Sequence, residues 1–129
     1  MTPQPVPTPN APPAAGPYSP AVRAGEWLFL AGQVPLDPAT GSMVQGDAAT
    51  QARQVLRNIR AVLEDCGASL DDVAKTTVFV TNLGDFAAIN EVYAEAFGAH
   101  RPARSTVQVA ALPGGAHVEI EAVAHLSQG

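Results

Sequence analysis

The stretch His117-Val118-Glu119-Ile120-Glu121-Ala122-Val123-Ala124-His125-Leu126 alternates. Val118, Ile120, Ala122 and Ala124 fall on one side; Glu119, Glu121, Val123 and His125 fall on the other. A period of two is the repeat of a β-strand, here with one apolar and one largely polar face. Such a strand needs a sheet around it and a second layer over its apolar side.

The neighbouring segments supply both. Leu112-Pro113-Gly114-Gly115 reads as a turn, and Thr106 to Ala110 before it as a strand. Asp71 to Val80 contains Val73 and Thr76-Thr77-Val78-Phe79-Val80, the β-branched and aromatic composition of a further strand. Upstream the period changes. Ala52, Val55, Leu56, Ile59, Leu63 and Cys66 recur at spacings of three and four, with Arg53, Arg57, Arg60 and Glu64 on the polar side. This predicts a helix capped by Asp47 and ended by Gly67. A second helix starts at Asn82 or Asp85, turns Phe86, Ile89, Val92, Tyr93, Ala96 and Phe97 inward, and stops at Gly98. Nearer the N-terminus, Ala21-Val22-Arg23, a Gly25-Glu26 turn and Trp27 to Gln33 make a hairpin. Asp37 to Gly41 is a turn and Met43-Val44 a brief strand.

The order β-β-(β)-α-β-α-β-β predicts an α+β two-layer fold: a mixed five- to six-stranded sheet with two helices on one face. The other face would carry Glu119, Glu121 and Gln108 beside a strand, 75–80, that is apolar almost throughout. A face neither covered nor cleanly polar predicts burial against another copy of the chain.

Eight of the twelve prolines lie within the first twenty residues. Residues 1–15 therefore read as a Pro-rich flexible leader and 16–129 as the folded domain. A length of 129 residues fits one domain with a real core. The net charge of −5 and seven basic residues argue against a nucleic-acid groove. No apolar run is long enough for a membrane, and the N-terminus lacks a signal-peptide pattern, so a cytoplasmic protein is expected. Cys66 is alone, and His100, His117 and His125 share no ligand spacing, so no metal site is expected.

Four residues carry the remaining chemistry. Arg104 opens a strand among apolar and hydroxyl residues, where its planar fork suits a bound carboxylate or an internal salt bridge to Glu119 or Glu121. Glu119 and Glu121 share a face about 7 Å apart and would be solvated, paired, or used for acid–base work on a water. Tyr18, where the leader meets the domain, either anchors the chain or closes a ligand pocket.

Four stretches together resemble the RidA (YjgF) family. They are Gly16-Pro17-Tyr18-Ser19; Leu30 to Pro38; Lys75 to Val80 with Asp85-Phe86 and Asn90; and Pro102-Ala103-Arg104-Ser105 through Leu112-Pro113 to Val118–Ala124. The resemblance runs from Ala11 to Leu126. It implies a chorismate-mutase-like fold, a homotrimer with inter-subunit clefts, and no cofactor or metal. The implied activity is hydrolysis of enamine and imine acids, such as 2-aminoacrylate, 2-iminopropanoate and 2-iminobutanoate, to 2-keto acids and ammonium. Carried over by position, Arg104 would clamp the substrate carboxylate and Glu119 would activate a water. Tyr18, Gly32, Thr106 and Asn90 would line or support the cleft. Ala31 stands where many members have Ser, and Thr106 where many have Cys; both bear on rate and substrate range. Two other functions share the same cleft on this reading: carboxylate binding without turnover, and ribonuclease activity, which the acidic balance disfavours.

Overall fold

The computed structural model describes residues 2–126. Six strands form the main sheet: β1 (Gln4–Pro5), β2 (Ala21–Ala24), β3 (Trp27–Gln33), β6 (Val73–Val80), β7 (Ala103–Gln108) and β8 (Val118–His125). Their spatial order is β1-β2-β3-β8-β6-β7. A separate ribbon pairs β4 (Leu36–Asp37) with β5 (Ser42–Met43). The helices are α1 (Ala48–Asp65) and α2 (Phe86–Phe97). β8 runs antiparallel to both β3 and β6, and β7 runs parallel to β6. The sheet is thus mixed, and α1 and α2 are the two crossovers between parallel strands.

The alternation of β8 decides the layering. Val118, Ile120, Ala122 and Ala124 are buried beneath the helices. They meet Val55, Ile59, Val62 and Leu63 of α1 and Ile89, Val92 and Phe97 of α2 within one core. Leu28, Ile59, Leu63 and Ile120 are fully enclosed; each contributes about 1.5–3 kcal/mol of burial.

Local chemistry fixes the ends of these elements. The Asp47 carboxylate accepts from the Thr50 amide at 2.9 Å, which also holds its pKa below the usual carboxylate range. At the other end Gly67 adopts φ 77°, and the Ala68 and Gly67 amides reach Leu63 and Glu64 carbonyls at 2.8 and 3.0 Å. The β2–β3 hairpin turns on Gly25 at φ 63°, the first central position of a two-residue loop. Asn82, not Asp85, supplies the cap before α2: its side chain accepts from the Gly84 amide at 2.8 Å, while Asp85 makes no such bond.

Several features differ from the sequence expectation. Residues 4–11 are tied to the domain: Gln4 and Pro5 pair with Arg23 and Val22, Asn10 bonds to Asp65, and Ala11 enters the core. A proline strand is tolerated here because β1 is an edge. β7 runs Ala103–Gln108, so it takes in Arg104 and ends two residues before Ala110. Gln108 lies on the helix side, where it accepts from the Leu83 amide at 2.9 Å. Phe86 is 41% exposed rather than facing inward.

Helix α1 also buries three uncharged polar residues, Gln51, Gln54 and Asn58, beside its apolar stripe. Asn58 donates to the Val34 and Leu36 carbonyls at 3.1 and 2.8 Å and accepts from Gln54 at 2.9 Å. Gln51 donates to the Val44 carbonyl and accepts from the His117 amide. The helix thereby pins the loop after β3 and the start of β8. Asn58→Ala leaves buried carbonyls without donors and should cost about 2–4 kcal/mol. Chemical denaturation at fixed protein concentration will read this as a lower midpoint with an unchanged slope.

Candidate functional site

Two groups of predicted residues assemble, on opposite faces of the sheet. The first sits on the helix side at the β7 edge. Arg104 pairs in register with Thr76, whose side chain is buried. Paired residues of parallel strands share a face, so Arg104 points toward α2. Its guanidinium carbon lies 4.8 Å from the Tyr93 ring centroid and 5.4 Å from that of Phe86. These are cation–π distances. The Tyr93 hydroxyl is in turn 2.7 Å from Thr76 Oγ1. Asn90, Tyr93 and Arg104 share one groove of about 410 Å³ with Ala94, Arg101 and Pro102. Thr106 follows on the same face, opposite Val78.

The second group sits on the open face. Glu119 lies opposite Phe79 of β6. On its other side the β3–β8 register slips: Leu30 faces Ala122, but Gln33 faces Ile120. Three steps on β3 match two on β8, so β3 carries a one-residue bulge at Ala31–Gly32. The absent side chain at Gly32 leaves the room in which the Glu119 carboxylate lies. A Cβ on Gly32 would overlap the Glu119 carboxylate, meeting its Cδ at 2.8 Å and Cγ at 3.0 Å. Glu119 is therefore laid on the Gly32 backbone and half-buried. Burial, with the nearby Glu121 carboxylate as second cause, pushes its pKa above the usual carboxylate range.

The internal salt bridge is not formed. The sheet separates Arg104 from Glu119 and Glu121, and the one ion pair among the described residues joins His125 to Glu26 at 3.4 Å. Tyr18 is half-exposed, its hydroxyl accepting from the Ala15 amide at 3.2 Å. Its loop reaches the bulge through the Ala31 amide, which donates to the Pro20 carbonyl at 3.0 Å. Cys66 is half-buried, and burial pushes its thiol up, away from a reactive thiolate.

Sequence reasoning missed the supports of Arg104. Thr76 stood out only as a hydroxyl in an apolar strand, and Tyr93 as an aromatic in an apolar stripe. A buried polar pair at those positions is the signal that could have found them.

Exposed apolar side chains flank Glu119 and Glu121 on the open face. Trp27, Phe29 and Val107 are 43%, 48% and 40% exposed. Phe79 and Val123 lie between them by register.

The class defined by these features is a two-layer α+β domain with one uncovered sheet face and a cationic groove at the sheet edge. The chain belongs to the RidA (YjgF) family: residues 8–126 match the family described as Endoribonuclease L-PSP. A RutC family protein of Pyrococcus horikoshii is 55% identical over 92% of this chain and 94% of its own. The 2-iminobutanoate/2-iminopropanoate deaminase of Salmonella typhimurium is 47% identical over 91% and 93%. The crystal structure of E. coli TdcF with bound serine superposes with a TM-score of 0.91 at 45% identity, covering 96% and 99%.

The acidity of Glu119 has a stability consequence. A carboxyl whose pKa is higher folded than unfolded opposes folding once it ionises, and this cost vanishes below the unfolded value. Glu119→Gln should therefore melt above wild type at neutral pH, and the gap should close as pH falls below about 4. Thermal melts across that range will test it.

Proposed function

We propose that the protein is an imine deaminase, hydrolysing small 2-imino acids and their enamine tautomers to 2-keto acids and ammonium. The observation that carries this is Arg104: a guanidinium stacked on two aromatic rings, facing a groove, with no carboxylate paired to it among the described residues. Relatives named as 2-iminobutanoate/2-iminopropanoate deaminases support the reaction class.

Arg104 holds the substrate carboxylate by two parallel hydrogen bonds. This places C2 of the protonated imine for attack. A water oxygen bonds to C2 while the C=N electron pair moves to nitrogen, and the water's proton passes to Glu119. Glu119 then returns that proton to the amino group of the carbinolamine. The C–N bond breaks, ammonia leaves, and the hydroxyl proton departs with it as ammonium. A carboxylate of raised pKa suits a group that must both take and return a proton. Asn90 lines the groove and Thr106 follows Arg104 on the same face, while Gly32 and Ala31 shape the seat of Glu119. Tyr18 closes the rim. No cofactor or metal enters these steps.

Arg104 and Glu119 lie on opposite faces of one sheet, so the reading requires a second copy. The homotrimer buries the open faces against one another and builds each site between subunits, Arg104 from one copy and Glu119 from the next. The apolar patch of Trp27, Phe29 and Val107 supplies the driving force. The absence of a long apolar helix among the described residues and the mixed charge are in keeping with a cytoplasmic role.

The test couples a serine/threonine dehydratase to limiting protein and follows 2-keto acid release. Wild type should accelerate it. Arg104→Lys should lose at least about tenfold in kcat/KM, since a point charge cannot replace the fork. Glu119→Gln should slow turnover while sedimentation still reports a trimer. Near-normal activity of Arg104→Lys would sink the clamp, and a monomeric wild type would sink the shared site.

A further inference from the structure

The groove that receives Arg104 contains a second guanidinium. Arg101 lines the same space of about 410 Å³, with Asn90 and Tyr93, and no carboxylate is part of that lining. Neither arginine forms an ion pair within the described residues. The two are held differently. Arg104 is stacked on Tyr93 and Phe86. Arg101 donates through Nη1 to the Gly98 carbonyl and, at 3.0 Å, to the His100 carbonyl, just beyond α2. Carbonyls at a helix C-terminus carry only partial negative charge, so they orient the cation without neutralising it. Its Nε and Nη2 hydrogens remain available.

Tyr93 lies within the field of both cations. Burial raises the pKa of its hydroxyl, while the Thr76 hydrogen bond and then Arg104 and Arg101 oppose the rise. Two anchored guanidinium groups facing one partly enclosed groove repel each other. A ligand with one negative group relieves half of that; a ligand with two pairs both.

We propose that Arg101 and Arg104 together form a dicarboxylate-selective groove, so that the preferred substrates are imines of amino acids with an acidic side chain. The inference rests on the proposed role of Arg104 as clamp of the first carboxylate; Arg101 adds the partner for the second. A short apolar side chain leaves Arg101 unpaired. The competing explanation, that Arg101 merely caps the end of α2, is separable by experiment.

Calorimetric titration of the intact assembly with 2-oxoglutarate and 2-oxopentanoate isolates the second carboxylate, because the two ligands share a five-carbon chain. Wild type should bind 2-oxoglutarate about tenfold tighter, the worth of one charge-assisted hydrogen bond. Arg101→Gln keeps a donor for the backbone carbonyls but no charge, and should erase the preference. Arg101→Lys keeps the charge and should retain part of it. The kcat/KM ratio for imines generated from glutamate and from alanine by an amino-acid oxidase should shift in the same sense. Equal affinities in wild type, or a preference that survives Arg101→Gln, overturn the proposal. Arg104→Ala should weaken both ligands. Undiminished binding of both in that variant sinks the clamp and the pairing with it, whereas weakened binding with no wild-type preference sinks the second site alone.

Discussion

The register of β8 between β3 and β6 decides where every candidate group points. Because side chains alternate with a period of two, a slip of one residue would carry Glu119 into the core and turn Ile120 to the open face. Burying a carboxylate under two helices would cost far more than the sheet gains from any local pairing. The register is held from both sides: Phe79 faces Glu119 on β6, and Ile120 faces Gln33 on β3. Helix α1 adds a third constraint through Gln51, which grips the His117 amide at the start of the strand. The buried polar stripe of α1 therefore acts on the site although none of its residues touches it.

The bulge in β3 is the device that reconciles this register with a seated carboxylate. Without the extra residue, β3 would present a side chain beside Glu119. The bulge instead brings the Gly32 backbone there, so close that a Cβ would push the Glu119 carboxylate from its seat. It also shifts the phase of β3. Leu28 and Leu30 face the core before the bulge and Gln33 after it. One inserted residue thus changes the packing of a strand end and opens room on the opposite face.

Much of this was legible in the sequence because it rests on short-range periodicity. The β8 alternation and the stripe of α1 each repeat over several turns or strand residues, and the caps at Asp47 and Gly67 have distinct local chemistry. What escaped is non-local. The β1 strand pairs only because β2 leaves an edge free, and nothing in Gln4-Pro5 states that. Phe86 fits the apolar spacing of α2 but lies at the helix start, beyond the core, where it meets Arg104 instead. The candidate site residues were readable as types, an unpaired arginine and two glutamates on one face. Their separation by the sheet depends on which strand neighbours which, and that β6–β7 pairing is a property of the fold rather than of either segment.

That separation sets the energetics of the site. On a single chain, Arg104 has aromatic faces for company and Glu119 has burial and a neighbouring carboxylate, so each is electrostatically incomplete. An unpaired cation and a disfavoured anion on opposite faces cannot relieve each other within one subunit. A second copy pressed on the open face removes water from Glu119 and would raise its pKa further unless it also delivers a cation or a donor. The same apolar patch that favours association, Trp27, Phe29 and Val107, makes that desolvation unavoidable. In the proposed assembly, association and the acid–base character of Glu119 would thus be coupled. A contact that covered the hydrophobic face would also tune the carboxyl at its centre, while the groove at the β7 edge lies on the other side of the sheet.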